Sequence, residues 1–421
     1  MRLRRIPVWA IPIAYTVVSL VAATVLPRLE HEYRMGVMTG LSPASAIASL
    51  SAIASGMMAL TGIVFSVAFI MLQFSAVTYS PRFAARFARD PLLFHALGVF
   101  FATFSYALAT TNWIDREGSG NVPVLSWTIA LALLIASLLM FTLLVRRVGD
   151  LQISNTLRFI GDLGRGVIAE SQAGSRPHPP DRAGAAPAPT ASPDQAVRFD
   201  GTPRYVERFD VPRLVQLARA AGARIEIGCA VGDMVTGGSV LFRVFGPRAL
   251  PEPELLATID LGDERTFEQD PKYPIRLLVD IAIKALSPAI NDPTTAVQAL
   301  DQIEDLLRRL ARHPLDDGRV HDAEGVLRLV IPTPTWEDFL SLSFDEIRMF
   351  GITSIQVIRR LRATLAALSE ELGEREGEAA RAGLVRRYLY HLDSAIDAST
   401  LDERDRDAAR HQDPQGLGLT R

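Results

Sequence analysis

The chain has 421 residues, 44 Lys and Arg against 47 Asp and Glu, and a formal net charge of −3. That length holds two or three domains, and the near-neutral balance gives no case for nucleic acid as a partner. A hydrophobic content of 48% is too high for an ordinary soluble protein, while the single Cys229 excludes internal disulfides and cysteine-rich metal sites.

Arg2, Arg4 and Arg5 precede an uncharged run over 6–27. It is longer than the roughly 7–15 apolar residues of a secretory signal and lacks a small-x-small cleavage site, so it reads as a retained first span. A polar connection over 28–42 carries Arg28, Glu30, His31, Glu32 and Arg34. From Arg34 to Arg82 no acidic, basic or histidine residue intervenes. About 20 apolar residues cross a bilayer, so this stretch holds a second span at about 44–75. Ala44, Ala48, Ala52 and Gly56 recur every fourth residue, with Ser51, Ser55 and Ala59 in a row beside them, whereas Ile63, Val64, Phe65 and Phe69 are bulky. Rows of small residues admit another backbone. One reading makes Ala48, Ala52, Gly56 and Ala59 an oligomer-forming or pore-lining face, with Gln73 as its polar lining residue. The other has the helix packing only on its three sisters.

The loop YSPRFAARFARD alternates Phe83 and Phe87 with Arg82, Arg86 and Arg89. Arg82, Phe83 and Arg86 form a basic amphipathic turn suited to anionic lipid headgroups or to coupling a soluble domain to the spans; charge that merely sets topology is the alternative. A third span over 91–113 starts at Asp90-Pro91, and its His95 reads as interfacial. The fourth covers 122–145 and ends at Arg146 and Arg147. With four spans the Arg-rich loops share one side, which the positive-inside rule makes the cytoplasm, so both termini are expected there. No Asp, Glu, Lys or Arg falls inside the expected spans, which argues against ion-coupled transport and leaves a passive channel or a structural assembly.

A helical connector over 149–172 leaves the membrane, and the Pro/Ala/Gly-rich stretch 173–202 reads as a flexible linker. A soluble α/β module spans 203–335. YVERF is a strand, Asp210 caps a helix closed by Gly222, and RIEIGCAVGDMVTGGSVLFRVFG is strand, turn, strand with Cys229 on a buried strand position. LLATIDLG is a further strand, Ser287-Pro288 and Asp292-Pro293 both look like helix starts, and VLRLVI is a last strand. Val297, Leu300, Ile303, Leu307 and Leu310 share one helix face. A helical pair at 336–372 and 376–400 and a loose tail over 401–421 complete the chain.

LQFSAVTYSPRF, GDERTFEQD and above all LVDIAIKALSPAINDPTTAVQALD resemble a bacterial family of predicted membrane proteins catalogued as a domain of unknown function. The resemblance covers nearly the whole chain. It implies a multi-span inner-membrane protein and adds no chemistry.

Arg265, Asp270, Asp280, Lys284, Asn291 and Asp292 form a candidate polar network. Asp280 and Lys284 stand four apart, the spacing of a helical ion pair, and the Asn291–Thr295 turn offers a helix start that holds an anion; a purely structural network is the alternative. AVGDMVTGGSVLFRV is similar to half of a biotinyl- or lipoyl-type sandwich, yet no lysine lies between Arg224 and Gly246 to carry a prosthetic group. Nucleotide-cradling, nucleophile-elbow and metal-spaced histidine patterns are missing. The expectation is therefore an α-helical membrane domain of four transmembrane helices plus a cytosolic α/β module with a C-terminal helical pair. It has no enzymatic activity, cofactor or metal, and its partners are the bilayer and copies of itself. Function is expected to be a sensing or gating soluble domain on a passive channel, with a membrane scaffold as the alternative.

Overall fold

A computed structural model describes residues 8–32, 42–78, 91–114, 122–149, 153–174, 192–375 and 377–418. The chain divides into two compact units, 1–152 and 153–421.

The first unit is built from α1 (Ala10–Glu32), α2 (Pro43–Thr78), α3 (Pro91–Thr111) and α4 (Val124–Gly149). Each is long and apolar enough to cross a membrane. Helix α3 packs on the other three and is half buried within the bundle, against about a fifth for its neighbours. Small side chains explain its central place. The Tyr15 ring presses onto Gly98, where an added Cβ would meet Cδ2 at 2.9 Å. Hydroxyls tie the helices together: Ser19 donates to the Ala102 carbonyl at 2.6 Å, and Thr103 and Ser137 share a 2.8 Å hydrogen bond. In an apolar solvent these bonds have no competing water.

Helix α1 departs from the sequence expectation. It continues through Pro27 to Glu32, so the supposed polar connection begins as helix and Glu30 lies inside a span. Glu30 is buried, and its carboxylate accepts from Leu125 N at 2.8 Å and from Ser126 N and Oγ at 3.2 Å. A helix leaves its first N–H groups unpaired, so this acid from α1 caps α4.

The second unit opens with α5 (Ile153–Gly174), followed by β1 (Gln195–Arg198), β2 (Arg204–Phe209), α6 (Val211–Ala221), β3 (Arg224–Ile227), β4 (Met234–Val235), β5 (Val240–Phe245), α7 (Glu252–Leu256) and β6 (Ile259–Gly262). Then come α8 (Lys272–Ala285), α9 (Pro293–Ala311), β7 (Arg319–His321), β8 (Leu327–Val330), α10 (Trp336–Gly351), α11 (Ile355–Gly373), α12 (Ala379–Asp397) and α13 (Glu403–Ala409). One sheet has the order β1-β5-β3-β8-β7, antiparallel except for the parallel β3–β8 pair, and a smaller sheet runs β4-β2-β6. The β7–β8 hairpin returns from the helical half to complete the larger sheet, whose core is Val197, Ile225, Phe242, Val244 and Leu329 beneath α6. Helix α6 is capped by Asp210 Oδ1 on Arg213 N and stopped by left-handed Gly222, as its sequence signals indicate.

β1 lies inside the stretch read as a linker; only Val197 of its four residues is buried, too weak an alternation to register beside so much Pro and Ala. LLA ends the short helix α7, so the strand starts only at Ile259. Ser287-Pro288 opens a turn, not a helix, and Asn291 there takes φ 50°; the helix starts at Asp292-Pro293 alone. Cys229 is buried just beyond β3 rather than on it. β4 and β5, adjacent in the sandwich-like motif, belong to different sheets. The segment 336–372 is two helices, because Gly351 lets Val357 pack across the break and Ser354 begins α11.

The tail is docked rather than loose. Asp413 is buried, its carboxylate accepting from the N–H groups of Gln415, Gly416 and Gly418, while Gln356 and Arg359 of α11 donate to the Gly416 and Gly418 carbonyls. Gly416 has φ +66°, and a Cβ there would stand 2.3 Å from Val297 Cγ1, so only glycine fits.

Candidate functional site

Helix α2 turns two unlike faces outward and inward. Ala46, Leu50, Ala54, Met57, Thr61 and Val64 are buried at the spacing of one helix side and form its contact with the rest of the bundle. Ala48, Ala52, Gly56 and Ala59 are all exposed, as are Ala44, Ser51 and Ser55 beside them. Among the described residues, and apart from the helix's own backbone, no atom comes within 4 Å of a Cβ built on Gly56 or Gly62. Continuing down the same side, Ser66 is exposed with its hydroxyl turned back to the Gly62 carbonyl, and Gln73 is exposed two turns on. The small residues therefore do not serve the contact with the sister helices. The outward faces of α1 and α4 are of another kind, carrying Ile13, Val17, Val18, Val21, Ile135, Leu138 and Leu139.

Arg82, Phe83 and Arg86 lie outside the described residues. His95 is half-buried, its Nδ1 3.3 Å from the Tyr15 hydroxyl.

The six candidate network residues fall into separate constellations of the second unit. Spacing suggested Lys284 as the partner of Asp280; the structure puts Arg276, one turn earlier, on that carboxylate at 2.7 Å through Nε, and the same guanidinium reaches Glu346 on α10 at 2.6 Å. The Arg276 hydrogen bond holds Glu346 below the usual carboxylate range. Burial lowers the Lys284 ammonium from its ordinary value. Asp292 is spent as the cap of α9, accepting from Thr295 N at 3.1 Å and Thr295 Oγ1 at 2.6 Å. Asn291 supplies the left-handed residue before it. A capping carboxylate at that helix start repels an anion, so the turn has a structural role.

Asp270 is buried between two parts of the fold. Its Oδ1 accepts from Lys272 N at 3.0 Å, whereas Oδ2 lies against Gly232, φ +86°, without a hydrogen-bond donor. Burial holds this carboxyl above the usual range against the pull of Lys272 and Arg265. Arg265 itself stacks over Tyr205 at 5.8 Å.

Sequence reasoning missed two groups. Glu30 was masked by the assumption that Pro27 ends the first span. The other is a charged layer between α9 and α11, where buried Arg360 binds Asp301 at 2.8 Å and Glu304 at 2.7 Å. Its acids sit on the polar flank of an amphipathic helix, which reads as solvated until a second helix covers it. Among the described residues no group of three His, Cys, Asp or Glu is placed to hold a metal ion.

A family described as "Predicted membrane protein (DUF2254)" matches residues 5–367. The uncharacterized proteins Rv1290c of Mycobacterium tuberculosis and Mb1321c of Mycobacterium bovis are each 28% identical over 348 residues, covering 78% of this chain and 64% of theirs. The chain thus spans less than two thirds of the length of these relatives. No solved structure matches it.

Proposed function

The chain belongs to the predicted membrane protein family DUF2254, and from that premise we propose that it is a homo-oligomer whose subunits meet along the small-residue face of α2. The soluble unit senses or gates a passive, channel-like path at that contact. The carrying observation is that in its first half α2 exposes Ala44, Ala48, Ser51, Ala52, Ser55, Gly56 and Ala59 opposite its intramolecular contact, giving way to exposed Ile63, Phe69 and Ile70 further on, where lipid-facing α1 and α4 carry Ile, Val and Leu. Close packing of small faces is a main source of helix association in lipid, since the hydrophobic effect does not drive it there. The reading places the protein in a bacterial inner membrane with both termini in the cytosol and assigns it no catalysis. It leaves the basic turn at Arg82, Phe83 and Arg86 to engage anionic headgroups.

Cross-linking tests the contact. In a Cys229→Ser background, Ala52→Cys should give disulfide-linked dimers under mild oxidant in the membrane, and Ile135→Cys on the outer face of α4 should not. Equal cross-linking from both, or none from Ala52→Cys, removes the small-face contact. Planar-bilayer recording under voltage, tension and osmotic shift separates a path from the second reading, a scaffold, which passes no current while still cross-linking.

A further inference from the structure

We propose that a groove in the β-rich half of the second unit binds a phosphate-bearing ligand through the guanidinium groups of Arg243 and Arg265. The groove has a volume of about 470 Å³, and Gly228, Ser239, Met234 and Val240 are among its lining residues. That volume is within the roughly 300–1,000 Å³ of small-molecule sites, which gives room for a ligand larger than a bare phosphate.

The charge arrangement singles out these two side chains. Other arginines on the strands already have acids: Arg204 with Asp263, Arg208 with Asp260, Arg224 with Glu226 and Arg328 with Asp322. Arg198 donates to the Gly238 carbonyl. The Arg243 guanidinium has no hydrogen bond or ion pair among the described residues, although it is half-buried. Glu226 faces it across the β3–β5 ladder, but Arg224 holds that carboxylate at 3.0 Å. Arg265, also half-buried, is steadied by the Tyr205 ring and attracted by Asp270 without closing an ion pair. Asp233, the one acid lining the groove, has its carboxylate pinned on Ala230 N at 2.8 Å.

Two half-buried cations line this concavity against a single lining carboxylate, so the groove carries a net positive charge that a bound anion offsets. Guanidinium groups bind phosphate oxygens through paired N–H donors, and their weak hydration makes partial burial cheaper than for lysine. Exposed Met234 on the groove wall offers an apolar surface to the remainder of the ligand. The site deepens the sensing role proposed above by giving it a ligand class, and binding is scored independently of whether α2 lines a path.

Calorimetric titration of the full chain in detergent, with pyrophosphate and with dihexanoyl phosphatidic acid as probes, distinguishes a soluble ligand from a lipid headgroup. At least one probe should bind saturably. Arg243→Gln should weaken that probe at least tenfold, about 1.4 kcal/mol, as should Arg265→Gln. Arg219→Gln, which removes an equal charge from the Glu324 pair outside the groove, should leave binding unchanged. Arg243 has no partner to lose, so its variant decides the matter even if Arg265→Gln fails to fold. No saturable binding of either probe, or affinity indifferent to Arg243→Gln, overturns the site.

Discussion

Asp270 and Cys229 show how burial sets the chemistry of single residues. The Asp270 carboxyl is raised by burial, an effect larger than the opposing attraction of Lys272 and Arg265. A raised folded-state value means the folded protein holds this proton more tightly than the unfolded chain does. The associated stability is therefore complete below the ordinary carboxylate pKa of about 3.9 and is lost as pH rises through the folded value. At neutral pH the charged carboxylate costs stability that an isosteric amide does not. Asp270→Asn should raise the melting temperature at pH 7 by a few degrees, the scale of about 1 kcal/mol in a unit of this size. The gap from wild type should shrink as the pH approaches 4, and a gap that widens instead contradicts the desolvation account. For Cys229, burial and the neighbouring Asp233 push the thiol up to about 11. Thiolate is the reactive species, so maleimide labelling at pH 7 should be slow in the folded protein and complete once denaturant is added. Rapid labelling of the native protein would place this thiol in a different environment.

At the scale of elements, what was legible followed from how much signal each carries within its own span. The face Val297, Leu300, Ile303, Leu307 and Leu310 of α9 repeats at helical spacing, and all five residues are buried. Asp210 and Gly222 bracket α6 by local chemistry that needs no partner. β1 has only Val197 to bury and exists because β5 offers a free edge, with Gln195 opposite Val244. Nothing within four residues encodes that pairing. Asp280 shows a related limit: Arg276 and Lys284 stand equally far along the helix, and Arg276, which also reaches Glu346 of α10 seventy positions away, is on its carboxylate. Opposite faces of α2 are equally free of charge, so composition alone did not say which one the bundle uses. The C-terminal strap is the clearest case, since charge and glycine read as looseness until Asp413 finds three backbone N–H groups. Asp413→Ala leaves those donors without their acceptor and should cost roughly 2 kcal/mol, measured by chemical unfolding of the second unit. It should also make cleavage of the 410–418 segment by protease faster, and an unchanged digestion pattern would show that the strap holds by other contacts.

For the whole molecule, the boundary between the four-helix unit and the second unit lies earlier than composition suggests. The helix at 153–174 looks like a connector, and the Pro/Ala-rich text after it looks like the start of independence for everything from 203 onward. Helix α5 nevertheless packs on α8 and α9. A Cβ on Gly164 would stand 2.8 Å from Leu306, and Arg165 joins Asp305 at 2.7 Å. Leu157 and Ile160 are fully buried along the same helix. Removing α5 uncovers apolar surface of α8 and α9, and removing 192–202 strips β1 from the edge of the larger sheet. Buried apolar area contributes about 25 cal/mol per Å², and a domain is stable by only about 5–15 kcal/mol, so uncovering this helix contact draws on a small reserve. A fragment of 153–418 should express as a folded, soluble species with a single cooperative melt, whereas 203–418 should aggregate or melt without cooperativity. Equal solubility and equal melting of the two fragments would return α5 to the role of a passive tether.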